Sequence, residues 1–398
     1  MNPDHKRTDA SPYPKRTLLG PGPSEMPPRI AAALSRPLIG HLDPAFLRIM
    51  DETQENLRRL FRTRNRLTLP MSATGSGGME TCLVNLVEPG DRVVVGVHGA
   101  FGARIADGAR RLGAEVHPVE SPWGTPVDPA RMCAAIRDRR PALVAIVHAE
   151  TSTGVLQPIE EIARAAREAE ALFMVDCVTS LGGVPVEADG WPADALFSGS
   201  QKCLSCPPGL SPATFGDRAL AKLRARRTPV PSWYFDLGMI EKYWGSDRVY
   251  HHTAPISMVL ALHEALLMVF EEGMEARFAR HARHRDALVA GLEALGLSLL
   301  VAREFRLPML TSVLVPDGVN DAKVRRALLD EDGIEIGAGL GPLAGKVWRI
   351  GLMGHSSRPE NIEAVLSAMG RHLTACGHRC DAAAAVDAAR ELLRTFSS

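Results

Sequence analysis

From about residue 66, short apolar runs alternate with stretches whose apolar positions recur every three or four residues. The runs LTLPMS (67–72), RVVVGV (92–97), ALVAIVH (142–148), LFMVDCV (172–178), ALFSGS (195–200) and SPATFG (211–216) read as strands. Helical patterns lie near 77–88, 101–112, 158–170 and 217–225. Strands that are apolar throughout, separated by helices, predict an α/β fold whose mostly parallel sheet is covered on both faces. Such sheets bind ligands at the carboxyl ends of their strands, so the residues that follow each run are candidates for chemistry.

After Pro231 the pattern changes. Residues 232–255, SWYFDLGMIEKYWGSDRVYHHTAP, are aromatic and irregular, and a long helical stretch is predicted over roughly 256–295. A second unit follows: strand LSLLV (297–301), strand SVLVP (312–316), a helix over 320–332, strand VWRIGLM (347–353) and a helix over 358–375. It predicts a smaller α+β domain. Ser357-Arg358-Pro359-Glu360 predicts a capping box at the start of the last of these helices. The Ala-rich segment DAAAAVDAARELLRTF (381–396) predicts a terminal helix.

Composition narrows the classes of partner. The chain has 398 residues, enough for a large core and two domains. Lys+Arg and Asp+Glu are equal at 46 each, so the basic excess that a nucleic acid or an anionic membrane surface requires is missing. No apolar run reaches the ~18 residues of a membrane span. Small metabolites are the expected ligands. Seven cysteines fall at 82, 133, 177, 203, 206, 376 and 380 without regular spacing, which argues against a disulfide framework. The first residues, MNPDHKRTDASPYPKR, are polar and lack an apolar signal core. Together these predict a cytoplasmic protein with an N-terminal arm.

The stretch SGSQKCLSCPPGLSP (198–212) admits two chemistries. Cys203 and Cys206 have C-x-x-C spacing, but no second pair stands at zinc-ligand distance, and Cys376, His378 and Cys380 cluster only near the terminus. No metal is expected. The alternative makes Lys202 the reactive group. A lysine that forms an imine with pyridoxal 5′-phosphate needs a carboxylate at the pyridine nitrogen, a phosphate cradle, a flat group against the ring and a cation for the substrate carboxylate.

Each need has a candidate. Asp176 ends the apolar run LFMV, and the small residues Ser72–Gly78 join a strand to a helix. Phe101 opens the next helix, and Arg349 sits among apolar neighbours. Taken singly, Asp176 reads as a cap, the glycine run as a turn, Phe101 as core and Arg349 as an edge residue with its head in solvent. Their occurrence in order along one sheet favours the lysine reading. Partial desolvation would lower the pKa of such a lysine and favour imine formation.

The blocks LLGPGPSEMPPRI (18–30), GHLDPAF (40–46), SATGSGGMETCLVNLVEPGD (72–91), ETSTGVLQPI (150–159), VDCVTSLGG (175–183), SGSQKCLSCPPGLS (198–211), YHHTAP (250–255) and GIEIGAGLGPLAGKVWRIGLMG (333–354) resemble the alanine–glyoxylate, serine–glyoxylate and serine–pyruvate aminotransferases, a branch of the class V enzymes of fold type I. The resemblance runs from about residue 18 to 375. It implies a mostly parallel seven-stranded sheet in a large domain, with a smaller C-terminal α+β domain. The expected division is an arm over 1–17, a large cofactor-binding domain over 18–272 and a small domain over 273–398.

Position by position, the resemblance implies that Lys202 carries the cofactor imine and that Asp176 pairs with the pyridine nitrogen. Val178 packs on one ring face, and Phe101 stacks on the other, where some relatives have tryptophan. Thr74, Gly75, Ser76 and Gln201 hold the phosphate. Tyr250 and Thr253 reach it from a second subunit, which implies a homodimer. Thr151 lies near the pyridine hydroxyl, Arg349 binds the α-carboxylate, and Gly22, Gly40 and His41 line the substrate pocket. Thr74, Ser76 and Thr151 depart mildly from the family pattern.

The implied reaction is ping-pong transamination between a small amino acid, alanine or serine, and glyoxylate or pyruvate. A larger donor such as a kynurenine stays open within the same family. A class V cysteine desulfurase or lyase is the other alternative. Gln201, where desulfurases carry a histidine, argues against it.

Overall fold

A computed structural model describes residues 14–395. Most of the expected arm, residues 1–13, therefore lies outside the described residues. The strands, in chain order, are β1 (Thr17–Leu19), β2 (Leu67–Met71), β3 (Arg92–Val97), β4 (Glu115–Glu120), β5 (Leu143–Val147), β6 (Ala149–Glu150), β7 (Val155–Leu156), β8 (Leu172–Asp176), β9 (Ala195–Phe197), β10 (Ser211–Phe215), β11 (Leu310–Leu314), β12 (Ile334–Ala338) and β13 (Val347–Gly351).

Seven of them form one sheet in the order β2-β10-β9-β8-β5-β3-β4. All of its pairs are parallel except the two that β10 makes, with β2 and with β9. The exception has a local cause. The stretch 198–210 between β9 and β10 holds the Lys202 loop and no helix, so the chain returns antiparallel rather than by the helical crossover usual between parallel neighbours. Strands β5 and β8 are buried at every position, as expected of strands with helices on both faces. Because β10 runs against both neighbours, the carboxyl ends of β2, β3, β5, β8 and β9 emerge on one edge.

The second sheet has the order β1-β12-β13-β11. Its core gathers Leu19, Leu288, Trp348, Ile350, Leu366 and Ala385. Residues 17 and 18, on either side of the expected arm boundary, thus belong to one strand that pairs with β12. The Ala-rich segment forms the helix Ala382–Thr395. It packs on the helices Met274–Ala294 and Pro359–Ala375, with Ala385 and Ala389 buried.

Several local expectations fail for identifiable reasons. The helix predicted over 256–295 is two, Ile256–Glu272 and Met274–Ala294, because Gly273 takes φ +83° between them. A residue with a Cβ adopts that conformation only at a cost. The run LSLLV makes a single bridge, Leu299 to Val313, and no strand. The capping box does not form: Ser357 Oγ pairs with His284 Nδ1 at 2.9 Å, and no side chain caps the helix Pro359–Ala375. Strand β4 escapes notice because, at the sheet edge, its sequence EVHPVE carries polar residues and a proline.

Candidate active site

The five carboxyl ends of β2, β3, β5, β8 and β9 deliver the site. Lys202 follows β9 and is buried with its amine donating to the Pro21 carbonyl. Burial lowers its pKa to about 8; Arg349 pushes the same way, while Cys203 and Asp176 oppose. Asp176 ends β8, and Val178 N–H donates to its Oδ1 at 2.8 Å. Burial raises the Asp176 carboxyl to about 7, and Glu150 adds to the rise. The Val178 side chain lies against Gly75, where an added Cβ would sit 3.0 Å from Val178 Cγ2. Val178 therefore spans the distance from Asp176 to the first turn of the helix Gly75–Leu86.

That helix begins at the end of β2. Thr74 is its N-cap residue, and no side chain caps it. The first N–H groups of a helix have no partner within it, so those of Gly75 and Ser76 are available to an anion. Next to Gly199, Gln201 Oε1 is buried and has no hydrogen-bond partner among the described residues. Phe101 lies one residue inside the helix Ala100–Arg111, which follows β3. Its N–H donates to Glu150 Oε2 at 3.1 Å.

Glu150 is a site residue that sequence reasoning missed. It is fully buried and also accepts from Ser152 N–H at 3.1 Å and Ser152 Oγ at 2.5 Å. Its carboxylate fixes the start of the Phe101 helix, and its charge favours the Arg349 cation. The same signal that exposed Asp176 was present here: an acid directly after a buried apolar strand. The short hairpin β6–β7 sets Glu150 in place and turns Thr151 toward β13.

Arg349 lies in β13 and is buried, with Nε donating to Ala338 O at 2.7 Å and one Nη to Thr151 O at 2.9 Å. Among the described residues no carboxylate stands within ion-pair distance of it. Burial lowers its pKa to about 10. Gly22 closes the site over the lysine: at φ +104°, an added Cβ would come within 2.6 Å of Lys202 Nζ. Only a glycine gives the amine that space.

The remaining predicted residues form a second group at the surface. His41 and Tyr250 rings lie 5.3 Å apart, the Tyr243 hydroxyl donates to His41 O at 3.2 Å, and the Tyr250 and Thr253 hydroxyls are 3.4 Å apart. Gly40 starts the turn before the helix Pro44–Phe61. Within one chain these residues contact each other rather than Lys202.

The cysteines are packing. Cys203 and Cys206 are buried, and their thiols meet the carbonyls of Thr179 and Ala261 at 3.3 and 3.5 Å. Burial pushes Cys203 up to about 11 and Cys206 higher, the opposite of a reactive thiol.

A flat phosphate ester with a basic ring nitrogen fits these residues. Asp176 is a buried carboxyl with one backbone donor, which a ring N–H⁺ would complete. The N–H groups of the open helix N-terminus are left for a phosphate to complete, and Gln201 would serve that phosphate through its amide NH2, since its buried Oε1 is an acceptor.

Residues 29–365 match the family described as aminotransferase class-V. The (S)-ureidoglycine–glyoxylate transaminase of Bacillus subtilis (strain 168) is 42% identical over 374 residues, 89% of this chain and 90% of that protein. A crystal structure of ureidoglycine–glyoxylate aminotransferase from Bacillus subtilis superposes with TM-score 0.95 at 43% identity, covering 96% of this chain and 99% of that one. An alanine–glyoxylate aminotransferase structure from Nostoc sp. gives TM-score 0.90 at 49% identity, over 94% and 99%. The chain belongs to the class V aminotransferases, enzymes of fold type I, and its cofactor is pyridoxal 5′-phosphate.

Proposed function

We propose that this aminotransferase passes an amino group from a small amino acid to glyoxylate or pyruvate by a ping-pong mechanism. The observation that carries the proposal is Arg349: a buried guanidinium, anchored on two carbonyls, with no carboxylate in ion-pair distance among the described residues. An α-carboxylate is the group that completes it, and a fork of donors binds it bidentately. The Arg349 charge also lowers the pKa of Lys202, which supports an α-carboxylate held near the amine.

The cofactor, when bound, supplies an electron sink for the substrate Cα–H bond. Lys202 would hold it, with Asp176 at the ring nitrogen, Val178 and Phe101 on the ring faces, Thr151 beside the ring, and Thr74, Gly75, Ser76 and Gln201 at the phosphate. The chain's own part is proton handling and orientation. Lys202 Nζ, once free, would take the Cα proton of the amino acid and pass it on within the same half-reaction, and in the second would deliver a proton to Cα of the keto acid. Its lowered pKa keeps a usable fraction of free base near neutrality. Arg349 holds each acid so that its Cα faces Lys202.

Glyoxylate appears in the names of both relatives, whereas the donors differ: ureidoglycine in one and alanine in the other. A panel of alanine, serine, glycine, S-ureidoglycine and kynurenine against glyoxylate and pyruvate checks the assignment. The fastest pair is expected to join a small donor with glyoxylate and to give parallel double-reciprocal lines. Intersecting lines, or a preference for kynurenine, would reject the proposal.

The second group of residues supports a homodimer. Leu38, Leu42, Trp233, Val249 and Tyr250 are exposed near it, a cluster of apolar side chains unusual on a monomer surface. Tyr250 and Thr253 would reach the phosphate of the facing subunit, with Gly40 and His41 beside its substrate. Sedimentation equilibrium is expected to return the mass of two chains; a stable monomer with full activity would refute this.

A further inference from the structure

The segment Gly20–Glu25 straps the smaller sheet to the lysine loop. It leaves β1 and crosses β12 and β13, the strands around Arg349. A Cβ on Gly337 would lie 2.5 Å from Pro21 Cδ, and Gly351 packs on the Gly20 carbonyl. Gly337 is the cross-strand partner of Arg349. On its other side the strap meets Lys202. The amine donates to Pro21 O, and Gly22 lies against it.

Ser24 makes the firmest attachment. Its N–H donates to Gln201 O at 2.9 Å, and its hydroxyl donates to Lys202 O at 2.7 Å. Ser205 Oγ is 3.1 Å from the same hydroxyl and accepts from His355 N–H at 2.8 Å. The single Ser24 proton goes to Lys202, so Ser205 donates to Ser24. This makes a one-way chain from His355 N–H through Ser205 and Ser24 to the lysine carbonyl. Ser205 itself takes φ +54°, an uncommon conformation for a residue with a Cβ, and this chain helps to hold it there. Ser24 is buried, so water does not replace a lost bond. Glu25 fastens the strap end by N–H donation to Ser356 Oγ at 2.9 Å and an ion pair with Arg358.

We propose that Ser24 is a positioning residue for Lys202, fixing the main chain of the lysine loop from a strap that also packs on the strands around Arg349; this rests on the assignment of Lys202 as the reacting lysine. Ser24 touches neither substrate nor cofactor in this account. It acts by keeping the lysine loop, and with it the amine, in place and away from water.

Ser24→Ala is expected to lower kcat about tenfold, the scale of one or two buried hydrogen bonds, while KM for both substrates stays within about twofold. A second readout needs no turnover. Trace acetylation of the full-length chain freed of cofactor, followed at the Lys202 peptide against pH, is expected to show a midpoint near 8 in the parent. In Ser24→Ala water reaches the amine, and the midpoint moves upward by roughly half a pH unit or more. Ser24→Thr keeps the hydroxyl and is expected to stay within about threefold of the parent in kcat, with the parent midpoint. An alanine variant with parental kcat and midpoint would overturn the proposal, as would equal losses in Ala and Thr variants. Those results leave the role of Lys202 standing; only turnover by Lys202→Ala removes that.

Discussion

Replacing Lys202 with alanine is expected to lower kcat by about four orders of magnitude or more, the upper range for a positioned acid–base group, with a covalent anchor lost as well. Two features of the amine support so large an effect. It is held at a single place, between the Pro21 carbonyl and the bare Cα of Gly22, so no neighbouring side chain can take over. It is also far more available as free base than an ordinary lysine. With a pKa of about 8, roughly a tenth is unprotonated at pH 7, against about three in ten thousand at the ordinary value of 10.5.

The sign of the pH dependence follows. The rate at saturating substrate, where Lys202 is freed from the cofactor, should rise as pH increases through about 8, where the amine loses its proton, and then level off. Steady-state turnover with alanine and glyoxylate checks the loss, and the absorbance of bound pyridoxal 5′-phosphate checks that the variant still takes up cofactor. Residual turnover within about a hundredfold of the parent would sink the role given to Lys202.

What the sequence discloses and what it hides divide along one line. Asp176 and Arg349 have ordinary readings taken singly; with Lys202 they become legible together, because three charged groups stand in or near the ends of apolar runs, where burial without a partner is costly. Strands β3, β5 and β8 are legible because burial on both faces makes them apolar apart from Arg92 at the start of β3 and Asp176 at the end of β8. Ser24 breaks no local rule. Its partner Lys202 is 178 positions away, and a serine between two prolines and a glutamate reads as an ordinary turn. Ser357 shows the converse. Its spacing to Glu360 is correct for a cap, yet His284, from another helix, takes its hydroxyl. Gly273 splits one periodic pattern into two helices because a single backbone angle outweighs the apolar repeat on either side. Long-range hydrogen bonds and special dihedrals are therefore what the pattern of residue types leaves out.

Arg349→Lys is the second large effect expected, and it falls on substrate binding. The guanidinium spends two of its donors on Ala338 O and Thr151 O, and no carboxylate among the described residues takes the rest, which the proposal gives to the substrate. A lysine ammonium reaching the same place is a point donor. It must leave either a carbonyl or one carboxylate oxygen without its partner. Losing one charge-assisted hydrogen bond costs about 1.5–3 kcal/mol, so KM for both the amino and the keto acid should rise by roughly 10- to 150-fold. Both are expected to rise, since in the proposed ping-pong scheme the two acids present the same α-carboxylate to the same residue in alternate half-reactions. Cofactor affinity should stay near the parent value, because the groups around Asp176 and the helix Gly75–Leu86 are untouched. Arg349→Ala goes further. It would leave a buried carboxylate with no cation, a penalty of about 3–5 kcal/mol in kcat/KM. Kinetics with each substrate varied at saturation of the other separate these outcomes. An unchanged KM for either acid would mean that its carboxylate is bound elsewhere, and that the empty fork of Arg349 serves the fold rather than the reaction.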